Sequence, residues 1–231
     1  MSVNYASTLE MVNTARQNNV FLMEAMWTRF LPIINKTLQL IKSGEVGELK
    51  YLRADFGFAA PVDTGSRLYD LKLGGGSLLD VGIYPLFLAL LILGKPDEIK
   101  AFAHKAVTGA DETTNALLFY KDGKMANILS SINAHTPLTA EITGTGGTII
   151  LDRPWYKGTV LHVRRKDTIT DSFSLPYGDN GFEFQIQEVQ ECLQKGLTES
   201  EMMPLDFSLL LSNTMENIND ISAIMYTVQP F

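Results

Sequence analysis

Asp80 and Tyr84 are the two residues whose types and spacing most directly suggest chemistry. They lie four residues apart in the segment GGGSLLDVGIYP, so a helix there would place both side chains on one face, one turn apart. The glycines at 74–76 would let a ligand approach the backbone closely. A phenol beside a carboxyl group can exchange a proton with a substrate oxygen. The structural alternative is that Asp80 faces the helix dipole and Tyr84 fills the core.

Three further side chains suit the recognition of a polar cyclic substrate. Trp27 and Arg29 follow the apolar stretch VFLMEAM at 20–26, which predicts a buried strand, and ligands bind at the carboxyl ends of strands in open α/β sheets. An indole can form one wall of a pocket, and a guanidinium can bind hydroxyl or carboxylate groups. Phe58, with Phe56 beside it, is a candidate for a second wall. The alternatives are domain packing for Trp27, an ion pair for Arg29 and an ordinary core position for the phenylalanines.

Other catalytic and binding motifs are absent from the sequence. No G-x-G-x-x-G follows a strand, and neither GGG at 74–76 nor GTGG at 144–147 has the spacing of a dinucleotide-binding loop. The three histidines, His104, His135 and His162, have no partner at metal-ligand spacing, so we expect no metal. No G-x-S-x-G nucleophile motif occurs. The sequence therefore offers no residues that can be assigned to a cofactor.

The composition is that of a globular protein without a polyanionic partner. The 231 residues are 45% hydrophobic and 19% charged, which allows a sizeable core. A net charge of −7 without a Lys/Arg cluster excludes the electrostatic footprint of nucleic-acid binding. The most apolar run, 81–93, is too short to span a bilayer, and no signal peptide is evident. Because the single Cys192 cannot form an internal disulfide, we expect a cytoplasmic location.

The chain opens with a short α/β segment. Ser7 and Glu10 have the spacing of a capping box and predict a helix that ends near residue 18. The predicted strand at 20–26 follows, and Glu24 within it is expected to be a buried, hydrogen-bonded carboxylate with a structural role. Apolar residues at helical spacing then predict a helix at 32–41.

Period-two alternation after residue 49 predicts a large sheet. One long strand runs through Phe56, a loop covers 59–73, and the segment 76–93 is helical and apolar nearly all round, as a helix between two layers would be. Further strands are predicted at 99–107, 114–120, 125–133, 139–143, 148–151, 159–165 and 169–175, with a hairpin turn at 121–124 and helices at 182–193 and 205–224. The fold class is therefore α+β, a large open and mostly antiparallel sheet with helices on one face.

Several blocks of the sequence resemble signature segments of the Gfo/Idh/MocA oxidoreductases. The two most specific are VFLMEAMWTRFLP at 20–32 and GGGSLLDVGIYPLFLALLILG at 74–94. They are supported by SGEVGELKYLRADFGF at 43–58, ADETTNALLFYKDGK at 110–124 and AEITGTGGTIILDRP at 140–154. The resemblance extends from the start of the chain to about residue 154 and more loosely to its end. It is strongest to the branch that contains dimeric dihydrodiol dehydrogenase and glucose-fructose oxidoreductase.

The resemblance implies a two-domain organisation. Such proteins hold NAD or NADP in an amino-terminal Rossmann domain and bind substrate in a carboxy-terminal α+β domain, which usually also forms the oligomer interface. Residues 1–30 would then be the end of the Rossmann domain, and residues 31–231 the substrate-binding and oligomerisation domain. The opening MSVNYASTLEMV resembles the sequence that directly follows the family's Glu-Lys-Pro motif. We therefore expect the chain to be a carboxy-terminal half, with the glycine fingerprint and that lysine upstream.

The same resemblance assigns roles to the candidate residues. Tyr84 would be the general acid/base and Asp80 would orient the substrate or the tyrosine, in a reaction at a CH–OH/C=O group of a sugar, cyclitol or dihydrodiol. A phenol needs a nearby cation to act as a base at neutral pH, and in the family that cation is the missing lysine. The alternatives are a non-catalytic binding or oligomerisation module without its cofactor domain and an α+β domain of unrelated function.

We also expect a homodimer. An open sheet with helices on one face leaves its other face in need of cover. The alternating apolar residues Leu117, Phe119, Ile128 and Ile132 motivate this expectation. The expected small-molecule partner is a polyol, sugar or dihydrodiol, with no nucleic acid and no membrane.

Overall fold

The predicted strands form one open sheet. In the computed structural model, which describes residues 1–178 and 180–225, the strands are β1 (Leu49–Gly57), β2 (Glu98–Lys105), β3 (Asp111–Phe119), β4 (Met125–Ser131), β5 (Ala140–Gly144), β6 (Thr148–Leu151), β7 (Val160–Arg165) and β8 (Thr168–Ser174). Their order across the sheet is β2-β3-β4-β1-β5-β6-β7-β8. Neighbouring strands are antiparallel except β1 and β4, which pair in parallel. The expected α+β class with a mostly antiparallel sheet is confirmed.

Helices cover one face of this sheet. They are α1 (Tyr5–Gln17), α2 (Pro32–Lys42), α3 (Ile83–Leu93), α4 (Phe182–Gln194) and α5 (Leu205–Met225). Short 3₁₀ turns lie at Trp27–Phe30, Leu71–Leu73 and Trp155–Lys157, and a π-helical turn, Leu78–Gly82, leads directly into α3. The predicted helices at 182–193 and 205–224 agree with α4 and α5 to within one residue.

Helix α3 is the centre of the core. Its sequence IYPLFLALLIL is apolar on every side, and the side chains from Leu86 to Ala89 are fully shielded from solvent. Alternate residues of the sheet face it, and on its other side Phe87 meets Phe207 of α5 edge-on, with ring centroids 5.9 Å apart. The segment Leu71–Leu93 is long and apolar enough by composition to cross a membrane, but most of its apolar stretch is buried inside the fold. That burial is typical of a core helix.

Two local predictions near the start of the chain are wrong. Helix α1 is capped by Asn4, whose Oδ1 accepts from the Ser7 N–H at 2.8 Å, so the predicted capping box is not used. An asparagine is as good a cap as serine, and starting at Asn4 adds a turn of helix. Residues 20–26 have no regular secondary structure and are no strand. Their N–H groups make few backbone bonds, one of them from Leu22 to the Thr198 carbonyl at 3.1 Å, because no described strand lies beside them.

The uncovered face of the sheet is more polar than we expected. Leu117 lies on this face and is 36% exposed, and Phe119 shares its orientation. Ile128 and Ile132 are instead buried on the helix side, so that part of the dimer argument is wrong. The alternation in β4 could not assign the face because apolar residues occupy both sets of alternating positions. Ion pairs from Arg53 and Arg164 to Glu141, at 2.8 and 3.6 Å, also cross this face.

Leu88→Ala should lower the free energy of unfolding by about 2–5 kcal/mol, because it removes a fully buried side chain and leaves a cavity. The matched control is Leu193→Ala in α4, where the leucine is 56% exposed and the loss should stay below about 1 kcal/mol. Urea denaturation followed by circular dichroism measures both. Equal losses for the two variants would contradict the central position of α3.

Candidate active site

Asp80 and Tyr84 project from a helix that begins with a wide turn. The predicted helix at 76–93 is π-helical at Leu78–Gly82 and becomes α-helical at Ile83. π turns are rare and are often found at functional sites. Both side chains line one cavity of about 440 Å³, whose other wall includes residues 22–26. The structure therefore brings the predicted carboxyl and phenol together at an opening.

A buried aspartate, Asp111, holds the start of this turn. Its Oδ2 accepts hydrogen bonds from Ser77 Oγ at 2.7 Å, the Leu78 N–H at 2.8 Å and Thr114 Oγ1 at 2.6 Å. Burial raises the pKa of this carboxyl, and the same hydrogen bonds oppose the rise. A Cβ added to Gly76 would lie 2.2 Å from Asp111 Oδ1, so the close approach requires glycine. Sequence reasoning missed Asp111, although an acid opening a strand with buried alternate positions was a possible signal.

The phenol of Tyr84 accepts a hydrogen bond from an indole. Trp27 Nε1 donates to Tyr84 Oη at 3.1 Å. Burial raises the pKa of Tyr84, the bond from Trp27 lowers it, and the charge of Asp80 raises it further. Because the net shift is upward from a value near 10, Tyr84 is protonated at neutral pH and can donate a proton.

Asp80 is paired with an arginine from the loop before the helix. Arg67 Nη1 lies 2.5 Å from Asp80 Oδ1, and the two side chains are 64% and 16% exposed. An ion pair with so exposed a partner adds little stability, but it orients the carboxyl. Sequence reasoning missed Arg67 because the loop carries no periodic signal that would place it beside the helix.

Aromatic rings surround the other sides of Tyr84. Tyr156 stacks on Phe56 with centroids 3.9 Å apart and an interplanar angle of 14°. Their centroids lie 5.7 and 5.3 Å from that of Tyr84. Trp27 makes edge contacts with Phe182 at 5.0 Å and Tyr156 at 6.4 Å. Tyr156 and Phe182 were not predicted, since only the folded chain brings them to Tyr84 and Trp27.

Arg29 is committed to contacts away from this cavity. Its Nε donates to the Met202 carbonyl at 2.8 Å and its Nη1 to Asn35 Oδ1 at 2.9 Å. Burial lowers the pKa of the guanidinium, and the charge of Glu188 opposes that shift. These contacts hold the segment after residue 26 against the loop before α5. A substrate-binding role for Arg29 stays a prediction that they do not favour.

Phe58 and Trp27 also lie outside the lining of the cavity at Asp80 and Tyr84. Phe58 packs on a small second core of Tyr69, Val81 and Ile132. Because this second core includes Val81, Phe58 packs near the turn that carries Asp80. Direct substrate contacts by Phe58 and Trp27 remain predictions.

Glu24 is the third acidic or phenolic group that lines the cavity. It is 7% exposed, and its Oε1 pairs with the α-ammonium group of Met1. The expected burial is confirmed. Its Oε2 has no hydrogen-bond partner among the described residues. A buried carboxylate oxygen without a donor is unfavourable, so a ligand hydroxyl could find an acceptor there.

Neither glycine cluster forms a cradle for dinucleotide phosphates. A Cβ on Gly75 would lie 2.9 Å from the Asp70 carbonyl oxygen, and one on Gly144 would lie 2.2 Å from the Val46 carbonyl oxygen. The space beside these glycines is filled by backbone atoms of the chain itself, so no room is left there for a phosphate, which needs accessible N–H donors or cations. Neither glycine cluster therefore fits the phosphates of NAD or NADP. Residues 1–178 and 180–225 also contain no group of three or more side chains that could hold a metal ion.

Asp111→Ala should lower the free energy of unfolding by about 2–4 kcal/mol, because three buried donors lose their acceptor. Asp122→Ala is the control, since Asp122 is an exposed turn residue paired with Lys124, and its loss should leave the free energy of unfolding nearly unchanged. Chemical denaturation of both variants tests this. A stable Asp111→Ala protein would show that the wide turn does not depend on this carboxyl.

Comparisons with known proteins agree on one family. The sequence profile of the GFO/IDH/MocA C-terminal domain matches residues 34–150. Trans-1,2-dihydrobenzene-1,2-diol dehydrogenase of Xenopus laevis is 33% identical over 236 residues, which is 98% of this chain and 70% of that protein. The Mus musculus enzyme of the same name is 36% identical over 222 residues, or 94% of this chain and 66% of that protein.

Solved structures agree on the fold. An aldose-aldose oxidoreductase from Caulobacter crescentus, complexed with glycerol, matches with a TM-score of 0.86 at 22% identity. The match covers 97% of this chain and 68% of the oxidoreductase chain. The 3-ketoreductase KijD10 from Actinomadura kijaniata, in complex with NADP and TDP-benzene, matches with a TM-score of 0.83 at 23% identity. The match covers 95% of this chain and 68% of the ketoreductase chain.

Proposed function

The chain belongs to the GFO/IDH/MocA oxidoreductase family, and on that premise we propose that it supplies the substrate-binding and proton-transferring part of a nicotinamide-dependent oxidoreductase. The proposed reaction interconverts a CH–OH and a C=O group in a sugar, cyclitol or dihydrodiol. The observation that carries the proposal is that Asp80 and Tyr84 open onto one cavity. The names of the relatives, which include dihydrodiol dehydrogenases, support this substrate class.

In this proposal Tyr84 transfers the proton. During reduction its hydroxyl donates a proton to the carbonyl oxygen, and during oxidation the phenolate accepts one from the substrate hydroxyl. A nicotinamide held by the dinucleotide-binding domain would supply or accept the accompanying hydride. Burial and the charge of Asp80 raise the pKa of Tyr84, which favours the proton-donating form. Asp80, oriented by Arg67, accepts a hydrogen bond from a neighbouring substrate hydroxyl.

We propose that residues 1–30 complete a dinucleotide-binding domain and that 31–231 form the substrate domain. The support is the largely apolar segment 20–26, which has N–H groups free of strand pairing. Beside it is a largely apolar groove that Phe21, Leu22 and Met23 form with Ile186 and Val189 of α4. NAD or NADP would be held in the dinucleotide-binding domain, because neither glycine cluster of this chain fits its phosphates.

The second candidate is a non-catalytic binding or oligomerisation module. The observation that favours it is again that neither glycine cluster fits dinucleotide phosphates. The two candidates differ in whether a nicotinamide reaches Tyr84. If adding the chain changes the fluorescence of NADPH or NADH bound to a dinucleotide-binding domain, the module is excluded. The cytoplasmic location stays a prediction that rests on the lone, buried Cys192.

Tyr84→Phe should lower turnover about 100-fold or more while the KM for substrate changes little, because the ring remains and only the proton donor is lost. The assay combines the chain with NADP, a dinucleotide-binding domain and trans-1,2-dihydrobenzene-1,2-diol, and follows nicotinamide absorbance. Tyr51→Phe is the matched control, since Tyr51 lies in β1 on the uncovered face. An unchanged rate in Tyr84→Phe would remove Tyr84 from the mechanism.

We further propose that the chain forms a homodimer through the uncovered face of the sheet. Phe102, Leu117 and Met125 are 59%, 36% and 41% exposed and lie near one another on β2, β3 and β4.

Leu117→Glu should convert the dimer to a monomer in sedimentation velocity, because it buries an unpaired charge at the contact. Ile169→Glu, at an exposed position on β8, should leave the dimer intact. A monomeric wild-type chain would refute the proposal.

A further inference from the structure

We propose that Trp27 is a positioning residue for Tyr84: its indole N–H occupies one lone pair of the phenol oxygen and directs the phenol's own proton toward the cavity. This inference rests on the proposed role of Tyr84 as the proton-transferring group. It assigns Trp27 an action through Tyr84, in place of the pocket wall that its position in the sequence suggested.

The hydrogen bond fixes which atom donates. An indole nitrogen can only donate, so at 3.1 Å the N–H of Trp27 must point to Tyr84 Oη. The phenol oxygen has two lone pairs and one proton, and that proton cannot be directed at a nitrogen that has no acceptor capacity. Tyr84 lines the cavity, whereas Trp27 does not. The indole therefore does not accept the phenol proton, which remains available to a ligand in the cavity.

The indole is held in place without any ligand. Trp27 begins a 3₁₀ turn, and the next residue, Thr28, donates through its Oγ1 to the Tyr156 carbonyl at 2.7 Å. The ring makes edge contacts with Phe182 and Tyr156. A Cβ added at Gly181 would lie 3.4 Å from Trp27 Cζ3, so the indole packs beside the residue that precedes α4. A donor fixed in advance costs no reorganisation when charge develops on the phenol oxygen.

The same bond counteracts the other influences on the phenol. Burial and the charge of Asp80 raise the pKa of Tyr84, and the hydrogen bond from Trp27 lowers it. A donor to the charged form favours that form. The other ionisable groups around the phenol and its cavity are Tyr156, whose pKa is itself raised by burial and by Tyr84, Arg67 through its pair with Asp80, and Glu24 with the Met1 ammonium. Trp27, by contrast, makes its hydrogen bond directly to Tyr84 Oη.

The chain contains a built-in control for this contact. It has two tryptophans, and Trp155 Nε1 donates to the Asp55 carbonyl at 2.8 Å from a fully buried position. A proton–nitrogen correlation spectrum of the full chain therefore shows two indole signals. Trp27→Phe removes one of them and so assigns both.

The first test is the indole spectrum of Tyr84→Phe. The Trp27 signal should move to lower proton frequency and its N–H should exchange with solvent about tenfold faster, because the acceptor is gone. The Trp155 signal should not move. Two unchanged signals in Tyr84→Phe would overturn the inference, and this test stands even if Trp27→Phe does not fold.

The second test is the ionisation of Tyr84, followed by tyrosinate absorbance against the matching Tyr84→Phe background. Trp27→Phe should raise the midpoint by about one pH unit, a tenfold change in the ionisation constant, because a donor to the phenolate is lost. Phe182→Leu removes a ring contact of Trp27 but keeps the hydrogen bond, so its midpoint should stay near that of the wild type. An unchanged midpoint in Trp27→Phe would contradict the positioning role.

The two tests separate this inference from the function it rests on. If the indole and the midpoint respond but Tyr84→Phe turns over normally, the hydrogen bond is real and the proposed acid/base role fails. If Tyr84→Phe loses turnover but the indole and the midpoint do not respond, Tyr84 is catalytic and Trp27 does not position it.

Discussion

The burial of α3 is the constraint on which the rest of the structure depends. A helix that is apolar on every side has no face for water, so it must lie between the sheet and α5. Only the first residues of α3 and the turn before them can present polar groups to an opening, and these carry Tyr84 and Asp80. The buried start of the turn needs acceptors for its N–H groups, which Asp111 provides from the sheet. The packing of the core therefore also determines where the candidate site lies.

Much of the fold could be predicted because periodicity reports burial directly. The strands and the later helices follow from alternation and helical spacing. Cap choice and the wide turn at Leu78–Gly82 could not be predicted, since they depend on small differences between neighbouring hydrogen-bonding options. The segment 20–26 has the composition of a strand, but a strand also needs a partner, and composition does not report one. Ile128 was assigned to the wrong face because apolar residues occupy both sets of alternating positions in β4.

The site was predictable only in the part that one turn of helix brings together. Asp80 and Tyr84 are four residues apart, so local geometry is enough to pair them. Arg67, Asp111 and Tyr156 reach the same place through a loop, a strand and a distant turn, and no spacing rule connects them to the helix. For Trp27 the sequence indicated the neighbourhood but not the contact, because a direct bond to Tyr84 Oη depends on the tertiary fold.

The central claim is that Tyr84 and Asp80 together receive a diol or sugar at their cavity. A crystal structure of the chain soaked with trans-1,2-dihydrobenzene-1,2-diol tests it most directly. The account predicts one substrate oxygen within hydrogen-bonding distance of Tyr84 Oη, about 2.6–3.2 Å, and the neighbouring hydroxyl on the Asp80 carboxyl. A diol bound elsewhere, with the phenol oxygen still in contact only with Trp27, would contradict it.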